Sequence, residues 1–392
     1  MRMRSNIRGS ARIAVVQHGD YLEARRRLAA GGKETYGSQR YSVEAQERLT
    51  GHLPHIIFSL DGRPARSETE DLGEYVTVPA IKIPWIPARI DSYWRAWRIL
   101  RRLSQYSPTH LILRTNDIIG CELLAWANRR GLPTAALLAT RFDPSHSPNL
   151  KFCQLANQSN VLFVGNHSRV ATQSLIDCGL RADKAIAWDF EQRISPKDFM
   201  AKAPRESGPY HIVFAGMMIE GKGIRDAIDA VQAVRSLGTD MRLTAFGDGP
   251  LKSGLEIHPG TKEGWLCLPG VVAIDQLTDA ISKSWLVIVP TRPEFPEAVN
   301  LVLMDALATR TPVVISDHPT FQSAFPDKLR MPFFQAGNVS ALANLLSELV
   351  SAPDKYGYFS EQTILAWESL QIDGRFHELL NRFAKDSGIP RL

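Results

Sequence analysis

Short runs of apolar residues recur along the chain and alternate with longer segments whose apolar residues fall at helical spacing. Apolar runs without polar alternation are typical of parallel strands buried on both faces. The pattern therefore predicts an α/β protein in which helices cover parallel sheets. The predicted strands are, in chain order, residues 13–16, 55–60, 75–78, 110–113, 134–138, 161–164, 211–215, 241–246, 285–290 and 312–315.

The alternation is interrupted at residues 201–209, where the sequence AKAPRESGP is rich in proline, glycine and charge. Such composition is typical of a linker between domains. We therefore predict a first domain over residues 1–200 and a second that begins at residue 210, each with a Rossmann-like fold, on either side of a cleft. Ligands of such sheets bind beyond the carboxyl ends of the strands.

Composition narrows the class of protein. Of 392 residues, 44% are hydrophobic and 22% are charged, which excludes a disordered chain, a collagen and a coiled coil. The net charge of +5 favours anionic partners but is too small to indicate nucleic acid. The four cysteines are scattered, without the spacing of a zinc site or a disulfide scaffold. We find neither a signal peptide nor a membrane-spanning run, so a cytoplasmic protein is expected.

A glycine-rich loop follows the strand predicted at residues 211–215. It runs from Gly216 to Gly223, includes Lys222, and leads into a helix that begins near Ile224. Glycines let the backbone approach a ligand, while a lysine and a helix N-terminus both favour an anion. Two other interpretations stay open. The loop is similar to the P-loop of nucleotide hydrolases, although Gly223 stands where that motif needs Ser or Thr; or it is a tight turn with a solvated lysine.

Two carboxylates, Glu297 and Asp305, lie two helical turns apart at the start of the helix predicted over residues 301–309. Asp305 shares a helix face with Val302 and Ala306 and is expected to be half-buried. A buried acid needs hydrogen-bond donors, and the hydroxyls of a sugar or ribose would supply them. The alternative is an acid that complements the helix dipole together with a solvated aspartate.

Taken together, these motifs resemble glycosyltransferase family four. The segment from Glu297 to Asp305 resembles its Glu-x7-Glu signature, residues 214–223 its strand, glycine loop and lysine, and residues 246–250 (FGDGP) its GDGP element. Residues 334–346 and Trp367 resemble its C-terminal helices, so that the similarity extends over about residues 205–370.

The family has the GT-B fold, two Rossmann-like domains with parallel sheets that face each other across a cleft. The resemblance implies an acceptor-binding domain over residues 1–200, a linker over 201–209 and a nucleotide-sugar-binding domain over 210–365. A C-terminal helix within residues 366–392 is expected to pack back on the first domain.

The resemblance further implies a retaining hexosyltransferase that moves a sugar from a nucleoside-diphosphate sugar to a glycan or lipid-linked acceptor in polysaccharide or glycoconjugate biosynthesis. Lys222 would bind the diphosphate, Glu297 the transferred sugar, and Asp305 the ribose; Lys222 and Glu297 are the candidate catalytic residues. Further donor-binding residues would be Gly31 and Gly32 on the first domain and Gly216, Arg292, Val299, Asn300 and Leu301 on the second.

Three positions depart from the family pattern. Met217 stands where an arginine is usual, so Arg292 or Lys33 would have to replace that cation, and Asp305 stands for a glutamate. The N-terminal histidine expected after the strand at residues 134–138 is absent from its place. Met217 and Asp305 keep open the alternative of a weak or inactive protein that binds a sugar nucleotide or glycan. A GT-B sugar-nucleotide epimerase is a second alternative. We expect no metal, because no residues have metal-ligand spacing, and no cofactor, because the nucleoside-diphosphate sugar is the donor substrate.

Residues 91–103 have the spacing of a basic amphipathic helix. The spacing predicts an inward stripe that includes Tyr93 and Trp97, and an outward stripe of Arg95, Arg98 and Arg102. Two interpretations stay open: peripheral docking at the inner face of an anionic membrane, or a helix packed on the core with a solvated basic face.

Overall fold

The chain forms two compact units, described here from a computed structural model that covers residues 11–35, 38–61, 64–81, 85, 87–205, 207–326 and 329–390. The first unit consists mainly of residues 11–32, 38–191 and 372–390, and the second mainly of residues 192–371. Each unit has its own parallel sheet and its own hydrophobic core.

The first unit contains an eight-stranded sheet in the order β3-β4-β2-β1-β5-β6-β7-β8. All its neighbours are parallel except the edge pair β3 and β4. Its strands are β1 (Ile13–Gln17), β2 (His55–Ser59), β3 (Ser67–Glu70), β4 (Gly73–Thr77), β5 (His110–Arg114), β6 (Thr134–Leu138), β7 (Val161–His167) and β8 (Ala185–Trp188). Its helices are α1 (Tyr21–Ala29), α2 (Gln39–Thr50), α3 (Ala88–Tyr106), α4 (Ile118–Arg129), α5 (Ser147–Ala156) and α6 (Arg169–Asp177), and α15 (Phe376–Ser387) belongs to the same unit.

The second unit contains a six-stranded parallel sheet in the order β11-β10-β9-β12-β13-β14. Its strands are β9 (Tyr210–Ala215), β10 (Met241–Phe246), β11 (Leu266–Gly270), β12 (Leu286–Val289), β13 (Val313–Ser316) and β14 (Phe333–Phe334). Its helices are α7 (Ile224–Ser236), α8 (Lys252–Glu256), α9 (Pro259–Lys262), α10 (Ile274–Lys283), α11 (Leu301–Ala308), α12 (Pro319–Gln322), α13 (Val339–Ser351) and α14 (Pro353–Leu370).

The apolar strand runs are continuous because both faces of each sheet are covered. Along β9, Ile212 and Phe214 join one buried cluster while Val213 joins another on the opposite face. On β12, Leu286 belongs to the first of these clusters and Val287 to the second. Alternate side chains of a strand point to opposite faces, so a strand with helices on both sides has no polar position to alternate.

Four strands at the edges of the sheets lack the apolar run that predicts the other strands. The sequence of β3 is SETE, half-exposed at the sheet edge, and β11 is an edge strand that includes Pro269. β14 has two residues, and β8 has intermediate exposure at three of its four positions. Edge strands bury little apolar surface and tolerate proline, so their sequences lack the pattern that marks a central strand.

The stretch predicted as a linker has contacts with the second unit. The backbone N–H of Lys202 donates to Ser360 Oγ at 2.7 Å, and its ammonium donates to the Ser282 carbonyl. The second unit ends at Gln371, and the residues after it belong to the first unit. Among the described residues, no helix combines the length and apolar character needed to cross a membrane.

The faces of α3 differ from the sequence prediction. Arg95 is buried, where its guanidinium Nε donates to the Val78 carbonyl at 2.9 Å, and Arg102 pairs with Glu74 at 2.5 Å. Trp97, predicted to point inward, is 55% exposed. The narrow inner stripe of Ala96, Ile99 and Leu103 fills the available space, so the large rings turn outward.

Candidate functional site

The central feature of the second unit is the point where its strand order reverses. β9 comes first in this sheet and β12 fourth, yet the two strands are neighbours, and they pair in parallel at residues 212–213 and 286–287. Loops that leave the carboxyl ends of two such strands diverge and open a crevice where ligands of α/β sheets bind. Residues 216–223 follow β9, and residues 290–300 follow β12.

Glycines allow the loop after β9 to contact the loop after β12 at its base, and the loop after β10 beside it. Gly223 caps α7 with φ +70°, and a Cβ atom there would lie 2.1 Å from the Pro290 carbonyl oxygen. At Gly247, a Cβ atom would lie 1.9 Å from the carbonyl oxygen of Gly216. A side chain at either position would force the loops apart, so glycine is required by close packing.

The loop after β9 does not have the amide arrangement of a P-loop. Its N–H groups at Met218, Lys222 and Gly223 donate to the backbone carbonyls of Asp248, Ile219 and Glu220, at 2.8, 3.1 and 2.9 Å. These amides are therefore engaged within the protein and do not form a phosphate cradle of that type. Lys222 is the cation that the loop contributes.

Lys222 and Glu297 are brought together across the two loops. The Lys222 ammonium lies 2.5 Å from Glu297 Oε2 and 4.3 Å from the centre of the Phe295 ring. The two charged side chains are only 13% and 7% exposed. Two charges so far removed from water attract each other strongly but also lose hydration, so each needs further polar partners to compensate it.

Two further donors hold the Glu297 carboxylate. Thr291 Oγ1 and Asn300 Nδ2 donate to the same oxygen, Oε2, at 3.3 and 3.2 Å. Within the described chain, the other oxygen, Oε1, has no donor. The carboxylate is thus anchored by one oxygen, and the second is available to a ligand hydroxyl.

Buried polar side chains hold the loop after β12 through hydrogen bonds to its backbone carbonyls. Ser316 Oγ donates to the Thr291 carbonyl and Thr320 Oγ1 to the Glu297 carbonyl, both at 2.6 Å. His318 Nδ1 accepts from the Thr320 N–H, which assigns the proton to Nε2, 2.9 Å from the Phe295 carbonyl. Sequence analysis missed these residues, although the polar run directly after the buried strand β13 was a usable signal.

Helix α11 begins beside Glu297. Asn300 caps it by accepting from the Leu303 N–H at 3.0 Å. The N–H groups of Val299, Asn300 and Leu301 have no acceptor in the part of the chain that the structure describes. The Leu301 amide belongs to the first turn, where the positive end of the helix dipole lies, and the amides of Val299 and Asn300 directly precede that turn. This helix start therefore favours an anion or a polar ligand atom.

Asp305 lies in the second turn of α11. Burial raises the pKa of its carboxyl to about 6, and the positive charge of Arg193 opposes that rise. The expectation of a half-buried acid is confirmed.

Arg292 has a different environment from the one expected of a phosphate ligand. Its guanidinium forms two hydrogen bonds with Asp226, at 3.0 and 2.7 Å, and this partner raises its pKa further. Asp226 is 3% exposed, so the pair ties α7 to the loop after β12. Met217 is 51% exposed and leaves the loop without a second cation.

Gly31 and Gly32 follow the end of helix α1 in the first unit. Gly31 has φ +78°, and a Cβ atom on Gly32 would lie 2.7 Å from the Arg27 carbonyl oxygen. The positive φ explains Gly31 and close packing explains Gly32, while contact of either glycine with a diphosphate stays a prediction.

The first sheet has a polar cluster at its own reversal point, between β1 and β5, which the sequence analysis did not find. His18 lies 3.1 Å from Asp61 and 3.2 Å from the hydroxyl of Thr115. The hydrogen bond with Asp61 raises the pKa of His18. Among the described residues, no group of three or more His, Cys, Asp or Glu side chains could hold a metal ion.

Comparison with known proteins agrees with this architecture. Residues 209–352, most of the second unit, match the family model described as Glycosyl transferases group 1. A stretch of 219 residues, 55% of the chain, is 24% identical to α-D-kanosaminyltransferase from Streptomyces kanamyceticus, and the match spans half of that protein.

Solved structures match over nearly the whole chain. HepE from Anabaena, solved in complex with UDP, is 13% identical with a TM-score of 0.60, over 96% of this chain and 99% of that one. Sucrose-phosphate synthase from Thermosynechococcus elongatus is 14% identical with a TM-score of 0.63, over 96% and 98%. α,α-Trehalose 6-phosphate synthase from Burkholderia multivorans is 11% identical with a TM-score of 0.65, over 97% and 98%. The predicted GT-B fold is confirmed.

Proposed function

We propose that this GT-B chain is a glycosyltransferase that transfers a sugar from a nucleoside-diphosphate sugar to an acceptor hydroxyl. The observation that carries the proposal is the Lys222–Glu297 pair at the reversal point of the second sheet, within the segment that matches the glycosyltransferase model. The UDP complex of HepE supports a nucleotide-sugar donor.

In this proposal the diphosphate enters between Lys222 and the start of α11. A cation and a phosphate about 4 Å apart gain roughly 4 kcal/mol at an effective dielectric near 20. Negative charge grows on the leaving diphosphate as the bond to the sugar breaks, so cations and amides aimed at it lower the barrier. Lys222 and the free amides of residues 299–301 would supply these contacts.

Glu297 would contact the transferred sugar through Oε1. When Lys222 turns toward the diphosphate, Thr291 and Asn300 still donate to Oε2 and keep the carboxylate compensated. Asp305, further along α11, would accept from the ribose hydroxyls. A retaining outcome, a hexosyl donor, a glycan or lipid-linked acceptor and independence of metal are the finer predictions that follow from the family-four resemblance.

The first test is transfer itself. The purified chain is incubated with UDP-, GDP- and ADP-sugars and a panel of glycan acceptors, and nucleotide release is followed together with the anomeric configuration of the product by NMR. Transfer with retention supports the proposal in full. Tight binding of a nucleotide sugar without transfer or hydrolysis would favour the binding-protein alternative, to which Met217 and the engaged Arg292 point.

Lys222→Ala should weaken binding of the nucleotide sugar at least tenfold, because it removes the cation nearest the diphosphate. Lys283→Ala is the matched control, since Lys283 is an exposed lysine of the same unit, 74% accessible, whose ion-pair partner among the described residues is Asp279. Calorimetric titration of both variants measures the difference. Equal affinity of Lys222→Ala and the wild type would remove Lys222 from the donor site.

A further inference from the structure

Helix α3 of the first unit exposes an unusual set of large apolar side chains. Ile90, Tyr93, Trp94 and Trp97 are 58%, 41%, 40% and 55% exposed, and Trp85, just before the helix, is 82% exposed. Residues spaced by three, four and seven positions share one side of a helix. The exposed residues therefore form one continuous strip along α3, which we call the aromatic strip (Ile90, Tyr93, Trp94 and Trp97).

Three arginines each lie over one aromatic ring of this strip. The guanidinium of Arg89 lies 5.8 Å from the Tyr93 ring centre, that of Arg98 lies 4.7 Å from Trp94, and that of Arg101 lies 5.7 Å from Trp97. Cation–π contacts hold each charge against a ring while its N–H groups stay directed to other acceptors.

The charge on this face is of one sign. In the described part of the chain, Arg89, Arg98 and Arg101 form no ion pair with a carboxylate, whereas Arg102, one turn beyond Arg98, pairs with Glu74. Asp91, the acidic residue of α3, is 7% exposed and accepts from the backbone N–H of Ile81 at 3.0 Å. The exposed face thus combines indole and phenol rings with unneutralised positive charge.

We propose that the aromatic strip and its three arginines dock this protein on an anionic phospholipid surface, with α3 lying in the plane of the headgroups. Trp and Tyr rings favour the boundary between headgroups and acyl chains, and guanidinium groups bind phosphate in pairs of hydrogen bonds. The arrangement fits a lipid surface better than a protein partner, because a headgroup layer offers uniform negative charge to all three arginines. This inference does not depend on the proposed catalytic site.

The experiment is flotation of the full chain with vesicles of phosphatidylcholine, with and without phosphatidylglycerol. We expect flotation with the anionic vesicles, loss of flotation at high salt, and quenching of tryptophan emission when the vesicles carry brominated acyl chains. Trp94→Gln/Trp97→Gln and Arg98→Glu/Arg101→Glu should each weaken vesicle binding at least about tenfold. These side chains are exposed, so the variants should keep the wild-type melting temperature.

Matched controls change the same kinds of residue elsewhere. Leu237→Gln/Ile257→Gln replaces two exposed apolar side chains of the second unit, 79% and 72% accessible, and Arg48→Glu reverses an exposed charge on α2. Both controls should float like the wild type. The proposal is overturned if the wild-type chain stays at the bottom of the gradient with anionic vesicles, or if both strip variants float normally. It is also overturned if the strip mediates self-association instead, seen as a dimer in sedimentation velocity that Trp94→Gln/Trp97→Gln converts to a monomer without any vesicle binding.

Discussion

Asp305 and Glu297 are two acids near the start of one helix, and their surroundings differ. Glu297 receives a lysine, a hydroxyl and an amide on one oxygen. For Asp305 the dominant influence is removal from water, which raises its pKa to about 6. A neutral acid accepts fewer hydrogen bonds than a carboxylate, so the protonation state of Asp305 would matter for any ligand that brings hydroxyl donors to it.

We therefore predict that binding of the nucleotide sugar strengthens as the pH rises from 5 to 7 and levels off above that range. Ligand hydroxyls favour the ionised form of Asp305, and ionisation of the free protein is complete only above its pKa of about 6. Calorimetric titration across this range measures the effect, and a nucleotide sugar is the correct probe because its diphosphate bridge does not titrate there. Asp305→Asn should bind more weakly and lose the pH step. An unchanged pH profile in that variant would show that Asp305 does not contact the ligand.

At the scale of elements, the candidate site in the second unit depends on loops whose backbones are in contact. The loop after β9 meets the loop after β12 at Gly223 and Pro290, and this contact sets where Lys222 lies relative to Glu297. The position of the Lys222–Glu297 pair is thus a consequence of backbone packing between two neighbouring strands and their loops.

Gly223→Ala should lower the free energy of unfolding by about 2 kcal/mol or more, because alanine at φ +70° is strained and its Cβ would overlap the Pro290 carbonyl. The control is Gly254→Ala in α8, where an added Cβ meets nothing within 4 Å. That change should be neutral or stabilise by up to about 1 kcal/mol, because alanine favours a helix. Urea unfolding of both variants gives the comparison, and equal midpoints would contradict the predicted overlap.

At the scale of the whole molecule, the chain returns to its first unit at its end. Helix α15 buries Phe376 and Phe383 completely, and its backbone is bonded to the residue directly after β8, since the Phe376 N–H donates to the Asp189 carbonyl at 3.2 Å. His110 on β5 also contacts the Ser387 carbonyl at 3.2 Å. The earlier part of the first unit ends at Glu191. Its core also requires residues from Ile372 onward, about 180 positions later in the sequence.

Phe383→Ala should destabilise the first unit by about 3–5 kcal/mol, the usual cost of removing a buried ring. Hydrogen exchange followed by mass spectrometry should show lost protection in residues 11–191 while residues 210–365 stay protected. Leu365→Ala on α14, where the side chain is 54% exposed, is the control and should change stability by less than about 0.5 kcal/mol. Loss of protection spread evenly over both units would show that they unfold together.

Much of the fold could be predicted because buried parallel strands have a distinctive composition. The strands at residues 134–138 and 241–246 were predicted to the residue, and Lys222, Glu297 and Asp305 were singled out by their place after strands and at a helix start. Edge strands such as β3 were not predicted, because a strand with one solvated face and one neighbouring strand does not need apolar residues.

By itself, the sequence determined the alternation of strands and helices, the two-sheet architecture and the residue types at the carboxyl ends of β9 and β12, since burial and backbone freedom act locally. The tertiary structure decided which of those residues meet. Lys222 and Glu297 are 75 positions apart, Arg292 turned to Asp226, and Arg95 rather than Trp97 was taken into the core of the first unit. These outcomes depend on which partner lies within a few ångströms and on the space left between packed elements, and neither is encoded by the spacing of residues along one segment.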